Sequence, residues 1–188
     1  MDYVYHGSKT SGLKKVEKRV GTHRQEWVYA TLSKALSILF INKGEGDLSY
    51  VIRATDKLDD PIILVERKPD TFKEIFNLAG SLYTLSAANF TQNKTKWIAE
   101  VISSFDEDVI TEEYIPNVWQ RLKELESLGK LQIYLYPNRP DVIPLDNSDL
   151  IPKVIAWDKN GIKTAIPKFL DMYPELTDKF YEALNNES

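Results

Sequence analysis

Three residues far apart in the sequence carry side chains that could act together. His6 is followed directly by Gly7, Tyr29 lies in the run Val-Tyr-Ala-Thr, and Glu100 lies in the run Trp-Ile-Ala-Glu-Val-Ile-Ser. They supply an imidazole, an aromatic ring and a carboxylate, each within a segment whose β-branched and aromatic composition is typical of a strand. If the three meet, they could grip and cleave a nicotinamide dinucleotide.

Each of the three also has a simpler structural interpretation. His6 could close a strand while Gly7 serves a turn, although a residue without a side chain would also let a ligand approach the main chain closely. Tyr29 could be an ordinary core residue, and Glu100 could point to solvent from an alternating strand. The sequence alone leaves these alternatives open.

A short polar segment after Tyr29 leads into a helix. Thr31 and Ser33 follow the tyrosine, and Ser33 is a suitable N-cap for a helix over Lys34–Lys43 that Gly44 would end. A helix N-terminus facing the same pocket would favour an anion such as a pyrophosphate. Because the chain has neither a G-x-G-x-x-G nor a Walker pattern, a dinucleotide would bind without either of those phosphate loops.

Composition limits the class of protein. The 188 residues are 43% hydrophobic, enough for one domain with a normal core. With 24 basic and 28 acidic residues and a formal charge of -4, the chain has no electrostatic signature of duplex nucleic acid or membrane binding. Cysteine is absent, and the longest apolar runs are too short to cross a bilayer. We therefore expect a cytoplasmic protein with no membrane partner.

The pattern of the chain favours an α+β fold in a single domain. Further strands are predicted at Tyr50–Arg53, Ile62–Glu66, Ser81–Leu85, Trp97–Ser103 and Leu131–Tyr136. Apolar residues at helical spacing predict a helix from Val118 that Gly129 ends. No regular crossover helices join the strands, which argues against a doubly wound sheet. Residues 1–136 form the predicted β-rich core, and residues 137–188 form a partly helical extension.

Two further segments carry specific expectations. Prolines at positions 167 and 174 interrupt the apolar pattern of Lys163–Asn186, which predicts two short helices there. The acidic residues between Asp106 and Glu113 are interpreted as a solvated loop and a helix start. They lack the spacing of a metal-binding loop, and no metal site is predicted.

The three strings, taken in order, resemble the ADP-ribosyltransferase fold superfamily, specifically the diphtheria-toxin and poly(ADP-ribose) polymerase-like branch with its His-Tyr-Glu signature. Tyr5-His6-Gly7-Ser8 is similar to the histidine strand of that branch, Val28-Tyr29-Ala30-Thr31 to its tyrosine strand, and Glu100-Val101-Ile102-Ser103 to its glutamate strand. The stretch Gly80–Leu85, followed by Phe90, is similar to small bacterial members. The resemblance covers about the first two-thirds of the chain and implies two packed, mostly antiparallel sheets with flanking helices and a C-terminal helical segment.

The resemblance implies that NAD is the substrate and assigns a role to each residue. His6 would bond the adenosine ribose, and the main chain of Gly7 would hold the nicotinamide carboxamide with help from Ser8. Tyr29 would stack on the nicotinamide ring, and Thr31 and Ser33 complete the implied NAD-binding set. Glu100 would be the catalytic residue, which bonds the nicotinamide ribose and stabilises the charge at its anomeric carbon. ADP-ribose would then pass to a macromolecular or small-molecule acceptor that the sequence does not identify.

The chain departs from the superfamily in one informative place. Ile98, two residues before the glutamate, is neither Gln nor Glu. The side chain that selects arginine as acceptor in the arginine-modifying toxins is therefore absent, and arginine is a poor candidate acceptor. The basic stretch between the first two motifs, including His23 and Arg24, could contact phosphates or form a solvated loop.

Two other functions are compatible with the same motifs. One is an RNA 2'-phosphotransferase-like enzyme, which would need basic residues in its pocket that the sequence does not place. The other is a non-catalytic module that binds a nucleotide or a protein partner, in which the cleft would be closed or Glu100 would turn away from it.

Overall fold

The computed structural model describes residues 2–21, 25–44, 48–54, 60–95, 97 and 99–186. The strands among these residues are β1 (Tyr3–Ser8), β2 (Lys15–Val16), β3 (Arg19–Val20), β4 (Glu26–Thr31), β5 (Tyr50–Arg53), β6 (Ile62–Glu66), β7 (Gly80–Ser86), β8 (Thr91–Gln92), β9 (Glu100–Ser103), β10 (Glu107–Ile115) and β11 (Leu131–Tyr134). The α-helices are α1 (Lys34–Leu39), α2 (Thr71–Phe76), α3 (Val118–Ser127), α4 (Leu150–Lys159), α5 (Ala165–Met172) and α6 (Thr177–Asn186).

Eight of the strands form one antiparallel sheet. Their order is β2-β10-β7-β1-β4-β9-β8, and β3 pairs with β4 beside this path. The strand β1 lies near the middle and pairs with β7 along its whole length, from Tyr3 opposite Ser86 to Ser8 opposite Ser81. On the other side of β1 lies β4, and β9 follows it. The histidine, tyrosine and glutamate strands of the sequence analysis are therefore neighbours in one sheet.

A second sheet of three strands has the order β11-β6-β5. The strand β5 is antiparallel to β6, whereas β11 is parallel to it. The chain is thus α+β, with a multi-strand antiparallel sheet and several helices, as the sequence predicts. The expectation of mostly antiparallel pairing holds for the large sheet, and the small sheet is mixed.

The largest apolar cluster joins the two sheets through helices. It includes Leu36 and Leu39 of α1, Leu64 of the small sheet, Leu82 of the large sheet and Leu122 of α3. All five side chains are at most 3% exposed. Burial of this much apolar surface is the main stabilising contribution to such a layered fold, and it fixes α1 against the middle of the large sheet.

The start of α1 is as predicted, and its end is not. The hydroxyl of Ser33 accepts a hydrogen bond from the amide of Leu36, which satisfies one of the unpaired donors of the first turn. The helix ends at Leu39 with Phe40 as its C-cap, four residues before the predicted end at Lys43. Gly44 does adopt the left-handed conformation expected of a stop residue, with φ of 78°, but it lies beyond the helix.

The C-terminal part is helical, and its prolines lie where helices tolerate them. The prediction of two short helices over Lys163–Asn186 is confirmed by α5 and α6. Pro167 does not interrupt α5, because it is the third residue of that helix and a first-turn residue has no intrahelical donor to lose. Pro174 does separate α5 from α6, and it starts a short 3₁₀ turn over Pro174–Leu176. These helices share an apolar cluster that includes Phe169 and Phe180. None of the described helices has the length and apolar character needed to cross a membrane.

The acidic segment after β9 is a strand rather than the predicted loop and helix start. The strand β10 pairs with β7 from Val109 onward, and tertiary pairing of this kind overrides the poor strand propensity of acidic residues. Glu107 is only 4% exposed and accepts a hydrogen bond from the hydroxyl of Ser103. Glu112 accepts hydrogen bonds from the amide of Gly12 and the hydroxyl of Ser81, and these bonds lower the pKa of Glu112. The carboxylates therefore hold loops against the sheet.

Two polar contacts attach the C-terminal helices to the rest of the chain. The hydroxyl of Tyr173 donates to the carbonyl of Leu48 at 2.7 Å. The guanidinium of Arg67, directly after β6, makes two hydrogen bonds of 2.9 and 2.5 Å to the carboxylate of Asp149, directly before α4. Because Arg67 is 2% exposed, its charge depends on this carboxylate.

Replacement of Asp149 with asparagine is expected to lower the free energy of unfolding by about 2 kcal/mol, because it leaves the buried guanidinium of Arg67 without its counter-charge. The expected loss of unfolding free energy is smaller than that for a fully buried pair because the Asp149 side chain is 33% exposed. Urea denaturation gives the value. Asp158→Asn is the matched control, since Asp158 pairs with a Lys163 side chain that is 73% exposed and is expected to contribute well under about 1 kcal/mol. Equal losses in the two variants would contradict the prediction.

Candidate active site

Strand register places Tyr29, Thr31 and Glu100 on one face of the large sheet. Thr31 lies opposite Tyr5 on one side and opposite Glu100 on the other, and residues directly opposite in an antiparallel pair share a face. Tyr29 is two residues from Thr31, so strand alternation gives it the same face. An aromatic ring and a carboxylate from neighbouring strands thus lie on the same face, as diagonal neighbours, since Tyr29 is opposite Ile102.

A cavity of about 520 Å³ lies on this face. Its described lining comprises Tyr5, His6, Gly7, Arg19, Val20, Gly21, Tyr29, Ala30, Thr31, Ser37, Phe40, Asn42 and Glu100. The volume falls within the usual range for small-molecule sites. The cavity brings together five of the seven residues that the sequence singled out.

His6 enters the cavity where two strands separate. Among the described residues, β1 and β4 are paired only at Tyr5 and Thr31, although β4 continues toward Glu26. Beyond that pair, the Nδ1 atom of His6 lies 2.7 Å from the main-chain oxygen of Tyr29 and bridges the two strands. By alternation the His6 side chain belongs to the opposite face of the sheet from Tyr29. The separation of the strands gives the cavity access to it.

The hydrogen bond of His6 fixes the protonation of its ring. A carbonyl oxygen can only accept, so Nδ1 carries the proton. Burial lowers the pKa of His6 below its usual 6.5, the nearby charge of Arg19 lowers it further, and the bond to Tyr29 opposes these effects. The imidazole is therefore neutral at pH 7, and its Nε2 atom is an acceptor that a sugar hydroxyl could use.

The lowered pKa of His6 predicts a stability that depends on pH. Below pH 6.5 the unfolded chain takes up the proton more readily than the folded chain does, so wild type should lose stability relative to His6→Gln as the pH falls. Denaturation of both proteins at about pH 7.5 and about pH 5.5 measures the difference in their unfolding free energies at each pH. The contributions of titratable groups common to both proteins cancel in that difference. A difference in unfolding free energy that is equal at the two pH values would contradict the prediction.

Gly7 is required by packing as well as by any ligand. A Cβ atom at this position would lie 2.0 Å from the main-chain oxygen of Ser37 and 2.9 Å from the side chain of Ile41. The absence of a side chain therefore lets β1 approach the C-terminal end of α1, which the sequence analysis did not consider. The backbone of Gly7 still lines the cavity.

The ring of Tyr29 is held from two sides and remains half-buried. It makes an edge-to-face contact with Trp27 at 6.1 Å between ring centroids. A Cβ atom on Gly21 would come within 2.6 Å of the ring, so this glycine makes room for it. Burial raises the pKa of Tyr29, and the negative charge of Glu100 raises it further. The phenol is therefore neutral, and its ring is positioned to stack on a flat ligand group.

Among the described residues that line the cavity, Glu100 is the acidic one. It is the first residue of β9, where its side chain is half-buried, and its negative charge raises the pKa of Tyr29. The predicted start of this strand at Trp97 is three residues too early. The strand end leaves the carboxylate at the cavity and not within the apolar centre of the sheet.

No protein-family model, curated protein or solved structure matches the chain. What the cavity can do therefore follows from its own side chains, which are a neutral imidazole, an aromatic ring and a carboxylate. Within the described part of the chain, no group of three or more His, Asp or Glu residues is placed to hold a metal ion.

Arg19 is a lining residue that the sequence analysis missed. It lies in β3, is exposed, and its charge lowers the pKa values of both His6 and Tyr29. The sequence signal for Arg19 was its place in the basic stretch, which also contains His23 and Arg24 and which could contact phosphates. Those two residues lie outside the described residues, as does Ile98. A guanidinium at the cavity is available to an anionic part of a ligand.

The three small polar residues of the predicted NAD-binding set have different surroundings. The hydroxyl of Thr31 lines the cavity but is already bonded to the carbonyl of Ser33 at 2.7 Å. Ser33 caps α1, and Ser8 accepts a hydrogen bond from the amide of Thr10 at 3.1 Å. Neither Ser8 nor Ser33 is part of the described lining. Their hydroxyls hold the local backbone at the cavity's border.

Proposed function

We propose that the chain is an NAD-dependent ADP-ribosyltransferase with the ADP-ribosyltransferase fold, which cleaves the nicotinamide-ribose bond and transfers ADP-ribose to an acceptor. The observation that carries the proposal is that His6, Tyr29 and Glu100, from three separate strands, line one cavity of about 520 Å³. A cavity of this size, with a few polar groups converging on it, is typical of small-molecule sites. The antiparallel sheet, with its separation of β1 from β4, is consistent with the proposed fold.

The binding residues have the chemistry that NAD requires. His6 presents a neutral Nε2 acceptor to a ribose hydroxyl, because its Nδ1 proton is engaged by the carbonyl of Tyr29. Tyr29 offers a ring face to the nicotinamide, and the main chain of Gly7 offers an amide and a carbonyl to its carboxamide. Arg19 is available to the pyrophosphate. The donor set therefore fits a dinucleotide without a glycine-rich phosphate loop.

Glu100 performs the catalytic role in this proposal. As nicotinamide departs, positive charge develops on the ribose ring, and a fixed carboxylate stabilises that charge more than it stabilises the neutral sugar. The negative charge of Glu100 also raises the pKa of Tyr29 and so keeps the phenol of that ring neutral. The electron pair of the broken bond leaves with nicotinamide, and the acceptor nucleophile forms the new bond and releases its proton.

The acceptor is a macromolecule or a small molecule with a nucleophilic group other than the arginine guanidinium. The proposal excludes arginine because Ile98 occupies the position two residues before the glutamate. An apolar side chain there can neither orient nor deprotonate a guanidinium.

The direct test incubates the purified chain with NAD and measures free nicotinamide, with ligand-induced thermal stabilisation recorded in parallel. Release of nicotinamide together with a higher melting temperature supports the enzyme. Stabilisation without release indicates a non-catalytic nucleotide-binding module. Neither effect, in a protein that unfolds cooperatively, would refute the proposed function.

A further inference from the structure

A second cavity of about 300 Å³ lies on another part of the molecule, between the loop after β6 and the C-terminal helices. It shares no lining residue with the first cavity. Four basic side chains line it, against two acidic ones. The basic residues are Arg67, Lys68, Arg139 and Lys179.

Arg67 is the buried arginine among the residues that line this cavity. Its side chain is 1% exposed, which is rare for an arginine and costly without full hydrogen bonding. The two Nη atoms donate to the side-chain oxygens of Asn147 and Asp149, whereas the Nε–H group has no partner among the described residues. An unpaired buried donor of this kind needs a further acceptor.

Arg139 places a second guanidinium beside the first. Both arginines donate to the same side-chain oxygen of Asn147, at 2.9 Å from Arg67 and 2.7 Å from Arg139. The other acceptors of Arg139 are the neutral carbonyls of Pro144 and Arg67, and its Nε–H group is also buried without a partner among the described residues. Burial and the charge of Arg67 lower the pKa of Arg139, so the pair carries unfavourable positive charge.

Two of the nearby carboxylates are already paired, and the other acidic lining residue, Glu175, is exposed. Both oxygens of Asp149 bond Arg67, and Asp146 pairs with Lys179 at 2.9 Å. Within the described part of the chain, no carboxylate bonds Arg139. An anion from solution would therefore add to the partial compensation of the Arg139 charge that Asp149 provides.

We propose that this cavity binds a phosphate group, either free phosphate or the phosphomonoester of a small molecule. The guanidinium groups of Arg139 and Arg67 form the floor of the cavity, and Lys68 and Lys179 lie at its sides. Phosphate suits the site because it carries up to two charges and several acceptor oxygens, which two adjacent guanidinium groups can share. Exposed apolar surface of Tyr136 and Leu145 beside the cavity can contact the body of a phosphomonoester.

The test is isothermal titration calorimetry with inorganic phosphate, phenyl phosphate and phenol in a phosphate-free buffer. We expect saturable binding of both phosphates at one site per chain, and none of phenol. Tighter binding of phenyl phosphate identifies a phosphomonoester as the ligand class, and equal or weaker binding identifies free phosphate. If neither phosphate binds at millimolar concentration, the proposal is overturned.

Variants distinguish a specific phosphate site from non-specific attraction of phosphate to basic residues. Arg139→Gln should weaken phosphate binding by at least about tenfold, because it removes charge-assisted hydrogen bonds. Arg121→Gln is the matched control, since Arg121 pairs with Glu113 and Glu124 and none of the three lines this cavity. It should change the affinity by less than about twofold. Equal effects of the two variants would overturn the proposal.

A second variant keeps the test valid if Arg139→Gln does not fold. The side chain of Lys179 is 60% exposed, so Lys179→Gln should fold normally and weaken phosphate binding by about threefold. An unchanged affinity in that variant, with Arg139→Gln unfolded, also counts against the site. The proposal is independent of NAD cleavage, because it concerns a different cavity and none of its probes contains nicotinamide.

Discussion

Glu100→Gln is expected to slow the release of nicotinamide from NAD by about 100- to 1000-fold and to leave the KM for NAD within about threefold of wild type. Glutamine is close to glutamate in size and can still hydrogen-bond a ribose hydroxyl, so binding should survive. It carries no negative charge, and the positive charge that develops on the ribose in the transition state is no longer stabilised. Steady-state kinetics on purified protein, with nicotinamide as the measured product, give both constants.

Glu113→Gln is the matched control for this experiment. Glu113 is an exposed carboxylate of β10 that pairs with Arg121, and it does not line the cavity. Its replacement should leave the rate within about twofold of wild type. If Glu100→Gln keeps more than a third of the wild-type rate, Glu100 does not have the proposed catalytic role, whatever the result for NAD binding.

Gly7→Ala is expected to lower the free energy of unfolding by about 3 kcal/mol. The new Cβ atom would lie 2.0 Å from the main-chain oxygen of Ser37, a group that a rotamer change cannot move. Either β1 or the end of α1 must shift, and both are packed into the core between the sheets. Urea denaturation measures the loss.

Gly12→Ala separates this clash from the ordinary cost of replacing a glycine. A Cβ atom on Gly12 would have nothing within 4 Å, and its φ of 78° is the only source of strain. That variant should cost about 1 kcal/mol. A loss for Gly7→Ala that does not exceed the loss for Gly12→Ala would show that β1 and α1 can move apart freely, contrary to the packing described above.

The strands that carry the candidate site could be predicted, whereas their arrangement could not. Short runs of β-branched and aromatic residues around His6, Tyr29 and Glu100 are a local signal, and each of these residues does lie in a strand. Register is a long-range property: the pairing of Thr31 with Glu100 joins segments almost seventy residues apart in the sequence. The separation of β1 from β4 at His6 depends on such pairings as well.

Other parts of the fold were missed because their local signals point the other way. The strand β10 is rich in Glu and Asp, which disfavour strands, and its pairing with β7 decides its conformation. The helix α4 contains Pro152, which as its third residue is tolerated although it resembles a helix breaker in the sequence. Arg19 was missed because β3 has only two residues, too few for any alternation to be visible.

The separation of β1 from β4 makes one line through the large sheet weaker than the rest. Next to the pair formed by Tyr5 and Thr31, the imidazole of His6 contacts the main-chain oxygen of Tyr29, whereas β1 pairs with β7 along its full length. Backbone amides that flank this line should exchange their protons with heavy water sooner than those between β1 and β7. The sheet can thus open along the line between β1 and β4 while the hydrogen bonds between its other strands stay intact.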